Sequence, residues 1–276
     1  MAPKKSGFIG TFRGYVLTFS AMAVAAPATA ADCPRLAGKP VPREQFQLYL
    51  LMGQSNMAGR GKMTAEDRRP VEGIYKLNAD DKWEPAAHPL HFDKPQIAGV
   101  GLGLDFSREL RRRRPDVVIG LIPCAFGGTR LDEWQPGGKL YNQALARAKE
   151  GARCGVVKGI LWHQGEGDST ADLAATYAQR LQAMIGQLRT DLRAPNLPVV
   201  VGELGHFRQK VPSDAINAQL RVFTKLTPRT ACATAENLTD SGDQTHFDAD
   251  SLKEFGRRYA AQMIALESAG AERDDR

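Results

Sequence analysis

QLYLLM, residues 47–52, runs directly into GQSN, residues 53–56, and the reading of the whole chain turns on this junction. Six mostly apolar residues stopped by a glycine are too few for a helix and suit a strand buried on both faces. Gly53 supplies a tight turn, and a helix opening just after it would point its free amides at Ser55. Outward from this point, apolar runs of the same kind recur at Val117–Pro123, Val156–Trp162, Pro198–Gly202 and, more weakly, Arg229–Ala235. Helical stripes lie between them. Leu102, Phe106 and Leu110 share a face, as do Leu140, Ala144, Leu145 and Ala148. Leu173, Tyr177, Leu181, Met184, Ile185, Leu188 and Leu192 commit residues 172–192 to one long amphipathic helix. Ile216, Leu220 and Phe223 follow, with Ser213 as a cap, and Leu252, Phe255, Tyr259, Met263 and Leu266 form the last stripe. Strands alternating with helices predict an α/β fold, a three-layer α/β/α sandwich around a five-stranded parallel sheet with right-handed crossovers.

Gly59–Gly101 breaks that rhythm. It is long, rich in Pro and Gly, and carries Trp83, His88, His91 and Phe92, enough aromatic surface to line a pocket. At the other extreme of order, residues 1–31 read as an export signal. Lys4, Lys5 and Arg13 precede an apolar run from Tyr15 to Ala26 and small residues through Ala30. Cleavage is expected after Ala30 or Ala31, leaving residues 32–276 as one exported domain, periplasmic or secreted and free of the membrane. The alternative is an uncleaved anchor. Asp32 before Cys33 argues against a lipoprotein.

The full chain has 37 basic and 31 acidic residues, a net charge of +6, and loses three basic residues with the signal. The remaining excess is small and scattered, which gives no ground for nucleic-acid binding. Arg111–Arg114 reads as the cationic last turn of a helix. Four cysteines, Cys33, Cys124, Cys154 and Cys232, match no zinc spacing, and in an exported chain they allow one or two disulfides whose pairing the sequence leaves open.

Ligands of such sheets bind beyond the carboxyl ends of the strands. Those ends carry Gly53-Gln54-Ser55-Asn56, Ala125 to Arg130 with Gly127 and Gly128, His163-Gln164-Gly165-Glu166-Gly167-Asp168, Glu203 to His206, and Asp240 to His246. A serine nucleophile needs a tight turn, a base in reach and donors for the oxyanion. Ser55 has the turn, although a serine after a strand is more often a helix cap. Met57 excludes the G-x-S-x-G elbow, and Asn56 with Met63 excludes a P-loop. Two carboxylate–histidine pairs at spacing three could orient an imidazole, Asp243 with His246 and Glu203 with His206. The first is favoured because its polar loop lies between the last strand and the last helix.

The stretches MGQSNMAGRG (52–61), HPLHFDKPQIAGVGLGLDFSREL (88–110), IPCAFGGTRLDEW (122–134), ILWHQGEGDS (160–169) and DQTHFDADS (243–251) together resemble the SGNH (GDSL-like) hydrolases of flavodoxin-like fold, and within them the carbohydrate esterase family 6 and sialate O-acetylesterase group. The resemblance implies Ser55 as nucleophile with Asp243 and His246 completing a triad. It implies an oxyanion hole of the Ser55 amide, an amide of the Gly127–Gly128 pair, Gly128 foremost, and the side chain of Gln164. Glu166, His163, Arg130, Trp134 and Gly127 are implied to contact or support substrate. Where relatives often follow the aspartate with glycine, this chain has Gln244. No metal or cofactor is implied. The expected substrate is an O-acetylated carbohydrate, acetylxylan ahead of sialic acid. The rival readings are a carbohydrate-binding protein on an inactive scaffold and an acetyltransferase.

Overall fold

The computed structural model describes residues 1–2, 33–209 and 213–274, so the expected export signal lies outside the described residues. A two-residue pair, β1 (Arg35–Leu36) with β2 (Lys39–Pro40), stands apart from the main sheet. The main sheet comprises β3 (Phe46–Gly53), β4 (Ile74–Leu77), β5 (Trp83–Pro85), β6 (Val118–Pro123), β7 (Val156–His163), β8 (Val199–Gly202) and β9 (Thr230–Ala233). Their order across the sheet is β5-β4-β6-β3-β7-β8-β9, with β3 central and every pairing parallel except β4 with β5. All five expected strands are present. The expected count of five becomes seven, because the Gly59–Gly101 segment contributes the hairpin β4–β5 to one edge. Strands of four and three residues are too short to show a period of two, and Trp83 is there to pack edge-on against Phe46 at 4.7 Å.

The helices are α1 (Ser55–Ala58), α2 (Gly103–Arg113), α3 (Lys139–Gly151), α4 (Ala171–Ala175), α5 (Tyr177–Asp191), α6 (Asp214–Leu226) and α7 (Ala249–Asp274). Alternation along β3 separates the two cores. Leu48, Leu50 and Met52 join Ala144 and Ala148 of α3, Leu181 and Leu188 of α5 and Leu220 of α6 on one face. Tyr49 and Leu51 join Phe106 and Leu110 of α2 and Phe255 and Tyr259 of α7 on the other. The molecule is therefore three layers deep, with its active-site loops on the carboxyl edge of the sheet.

The stripe over residues 172–192 is broken into α4 and α5 at Thr176, whose backbone leaves the helical region. The physical reason is Arg180, which turns back to donate to the Thr176 hydroxyl at 3.2 Å and to the Leu173 carbonyl at 2.8 Å, the latter a group that a continuous helix would pair internally. Ser213 stands at the N-cap position of α6 but donates its hydroxyl to Gly205 O at 2.7 Å, so it ties a loop down and does not cap. Arg111 to Arg114 are likewise more occupied than a solvated helix end. Arg112 and Arg113 pair with Glu109, and Arg114 pairs with Glu267 on α7.

Cys33 and Cys154 form a disulfide with 5.4 Å between their Cα atoms, while Cys124 and Cys232 are free thiols. Burial pushes both free thiols up to about 12, which keeps them protonated and unreactive at neutral pH. The disulfide spans 121 positions of sequence. Opening it is expected to cost roughly 2–5 kcal/mol of stability, read as a lower melting temperature in reductant and in the Cys33→Ser variant.

His88 and His91 of the long segment are buried, and burial pushes their pKa values down to about 3 and about 4 from 6.5. The unfolded chain takes up protons at both positions near pH 6.5 and the folded chain does not until far lower, so stability is lost as pH falls through that window. Each imidazole is expected to cost on the order of 2 kcal/mol at pH 5 relative to pH 7. Urea denaturation at the two pH values measures this, and coincident midpoints would contradict it.

Candidate active site

β3 ends at Gly53, whose backbone has φ +135°. A Cβ there would stand 2.0 Å from the carbonyl oxygen of His163, so no other residue fits. The close approach is used on both sides. The Phe126 amide donates to Gly53 O, and the Gln54 amide donates to His163 O, each at 2.9 Å. The turns after β3, β6 and β7 are thereby locked together, and Ser55 opens the single turn of α1 directly above them, 7% exposed.

The fourth contributor is the loop between β9 and α7. Asp240 and Phe247 pair across its base, and the Ser241 amide donates to His246 O at 2.9 Å. Gln244 adopts φ +57°, the left-handed conformation in which glycine would be unstrained, so the departure noted at this position leaves the loop's shape intact. His246 Nε2 lies 2.9 Å from Ser55 Oγ, and its Nδ1 lies 2.6 Å from Asp243 Oδ2. The other oxygen, Oδ1, accepts the Thr245 and His246 amides at 2.9 and 2.8 Å. Burial raises the Asp243 carboxyl, but these hydrogen bonds outweigh it and hold the group below its usual range. An ionised carboxylate on Nδ1 fixes the tautomer that leaves Nε2 free to accept the serine proton.

Asn56, 1% exposed, holds this loop on both sides of the imidazole. Its Oδ1 accepts the Phe247 amide at 3.1 Å, and its Nδ2 donates to Thr245 O at 3.1 Å. The second Nδ2 hydrogen goes to Glu166 Oε1 at 2.6 Å. Glu166 therefore acts through Asn56, and its Oε2 is buried without a partner. His163 lies behind them, fully buried. Its Nδ1 is 3.1 Å from the Tyr259 hydroxyl, which in turn donates to Trp162 O, and its ring packs edge-on against Phe255. It supports the site from within.

On the opposite side, the Gly127 amide donates to Asp93 Oδ2 at 2.9 Å, and Asp93 pairs with buried Arg60 at 2.7 Å. Burial raises the Asp93 carboxyl, and the Arg60 and Gly127 contacts bring it below its ordinary value. Gly128, exposed and at φ +86°, completes the turn. Gln164 departs from expectation. It is fully enclosed, and its amide donates to Thr129 O at 3.0 Å and Asp168 Oδ2 at 2.8 Å, with the Tyr177 hydroxyl 2.9 Å from its Oε1. Both amide hydrogens are committed to protein acceptors, so Gln164 is a strut, and the side-chain amide adjoining Ser55 is that of Gln54, whose Oε1 lies 3.3 Å from Gln164 Nε2.

Trp134, among the residues expected to contact or support substrate, is a core residue. It is fully buried, packs edge-on against Trp162 at 5.4 Å and donates to Thr129 Oγ1. Arg130 lies exposed, its amide held by Glu133. Glu203 and His206 do meet, at 3.3 Å, but the carboxylate is spent on Arg221, Thr234 and the Ala235 amide, and the imidazole on Ser55 is His246. Sequence reasoning missed Asn56, Gln54, Asp93 and Arg60. The first two stood inside the quoted GQSN, where only their neighbour drew attention.

Comparison with known proteins places the chain in a family. Residues 45–265 match the family described as carbohydrate esterase, sialic acid-specific acetylesterase. The probable carbohydrate esterase At4g34215 of Arabidopsis thaliana is 33% identical over 250 residues, covering 82% of this chain and 92% of that protein. Its crystal structure superimposes with a TM-score of 0.73 at 31% identity, over 79% of this chain and 98% of that one. At the level of fold alone, NanS matches with a TM-score of 0.67 at 16% identity, over 83% and 99% of the two chains. XAC1771, a carbohydrate acetylesterase from Xanthomonas citri, matches at 0.61 and 20%, over 79% and 56%. With a matching profile over most of its length and a relative one-third identical, the chain belongs to the carbohydrate esterase, sialic acid-specific acetylesterase family and is a carboxylic ester hydrolase.

Proposed function

We propose that the protein is an exported serine esterase that removes O-acetyl groups from a neutral polysaccharide, acetylated xylan foremost, through an acetyl-enzyme. The observation that carries this reading is the line Asp243–His246–Ser55, with contacts of 2.6 and 2.9 Å. His246 Nε2 takes the hydroxyl proton as Ser55 Oγ bonds to the ester carbon, and the carbonyl electrons move onto oxygen. On this reading the donors to that oxyanion are the amides of Ser55 and Gly128, the Gly127 amide being spent on Asp93. Collapse breaks the bond to the sugar oxygen, which leaves with the proton from His246. Water then adds to the acetyl carbon, giving its proton to His246, and acetate departs as Ser55 is regenerated.

Export is supported by the Cys33–Cys154 disulfide, a bond that persists in oxidising compartments. The preference for a neutral polymer over a sialoside is supported by charge, since beside the Phe126–Thr129 turn the Arg60 guanidinium is taken by Asp93 and that of Arg180 by Asp132, so neither is free to receive a sugar carboxylate.

Acetate release from acetylated xylan and from an O-acetylated sialoside tests the proposal. Ser55→Ala is expected to lower kcat on the order of 10³-fold or more, and a chelator to leave it unchanged. Equal activity in the variant would remove Ser55 from the mechanism, and faster release from the sialoside would reverse the substrate preference. Asn56→Ala is expected to reduce kcat by about 10- to 100-fold with little change in KM, because it frees the loop on both sides of His246. Steady-state kinetics on p-nitrophenyl acetate separate the two parameters.

A further inference from the structure

Between the carboxyl end of β6 and the start of α3 lies a cavity of about 560 Å³, within the range of small-molecule sites. Neither Ser55 nor His246 lines it. It nonetheless adjoins them, since Phe126 and Thr129 flank the Gly127–Gly128 turn and Asp93 holds the Gly127 amide. Its walls combine two kinds of chemistry. Pro123, Leu140, Phe92 and Phe126 give apolar and aromatic surface, and Phe126 is 42% exposed although it is a large hydrophobic residue. Phe92 is steadied by the Arg147 guanidinium 5.0 Å above its ring. Polar groups stand among them, and one is unsatisfied. Asp93 is 1% exposed, its Oδ2 is taken by Arg60 and Gly127, and its Oδ1 is buried without a partner.

We propose that this cavity is a subsite for a second, neutral pyranose ring, so that the enzyme reads an acetylated oligosaccharide and not an isolated sugar ester. An aromatic face beside the carboxylates of Asp132 and Glu133 suits a ring with apolar C–H faces and hydroxyl edges. His91, held neutral by burial, adds no charge. Asp93 is paired with Arg60 and Asp132 with Arg180, which leaves Glu133 against Lys139 and a lining close to neutral. The location of the acetylated ring rests on the esterase reading; sugar binding in the cavity does not.

Calorimetric titration with xylose, xylotriose, cellotriose and N-acetylneuraminic acid tests the subsite apart from catalysis. The trisaccharides are expected to bind about tenfold more tightly than xylose to the unmodified protein. Phe126→Ala removes the aromatic face, and Gln143→Trp fills the cavity from an exposed position on α3; each is expected to erase that gain. Melting temperature checks that both variants fold. In parallel, the ratio of kcat/KM for acetylated xylotriose to that for an acetylated methyl xyloside is expected to fall about tenfold in both. Equal affinity for xylose and both trisaccharides, retention of the gain in both folded variants, or tighter binding of N-acetylneuraminic acid would overturn the proposal. Trisaccharide binding without turnover of any acetyl ester would uphold the subsite and remove the esterase reading. Equal turnover of the two xylose esters would do the reverse.

Discussion

The contact between the backbones of Gly53 and His163 is the constraint on which the site depends. A parallel sheet places the ends of neighbouring strands side by side but leaves the turns beyond them free to diverge. Here the absence of a side chain at Gly53 lets the chain after β3 press against β7, while the Gly53 carbonyl takes the Phe126 amide from beyond β6. Three turns become one rigid platform. Ser55, the Gly127–Gly128 turn and the Gln164–Asp168 segment inherit their spacing from that platform, and only His246 must be delivered from elsewhere.

Its delivery is governed by polar groups inside the protein. A buried amide such as Asn56 is costly unless its donors and acceptor are met, and all are, two of them by the backbone around His246. The same accounting leaves Glu166 Oε2 and His163 Nε2 unmatched.

How much of this the sequence could show follows from the range of each interaction. The β3, β6, β7, β8 and β9 strands declared themselves as short continuous apolar runs, and the longer helices because their burial is periodic along the chain. The β4–β5 hairpin did not, its residues being half-exposed and its strands only four and three long. The break at Thr176 was invisible because periodicity records which face is buried and carries no record of where a guanidinium intercepts a carbonyl. Ser55, Asp243 and His246 were suggested by strand-end position, and the resemblance of the quoted stretches supplied their expected roles. The true office of Gln164 was not, since whether an amide faces a cleft or a buried aspartate depends on Asp168 and Tyr177, known only once the chain is folded. The Cys33–Cys154 pairing was likewise undetermined among its alternatives.

That disulfide also fixes a direction. Cys154 precedes β7, at the amino edge of the sheet, and Ser55 lies beyond the carboxyl edge. Cys33 is therefore held on the side of the sheet away from Ser55. Attached to a solid support, or displayed from a surface by that end, the protein would turn its cleft outward toward an insoluble polymer and leave the approach of a long chain unobstructed.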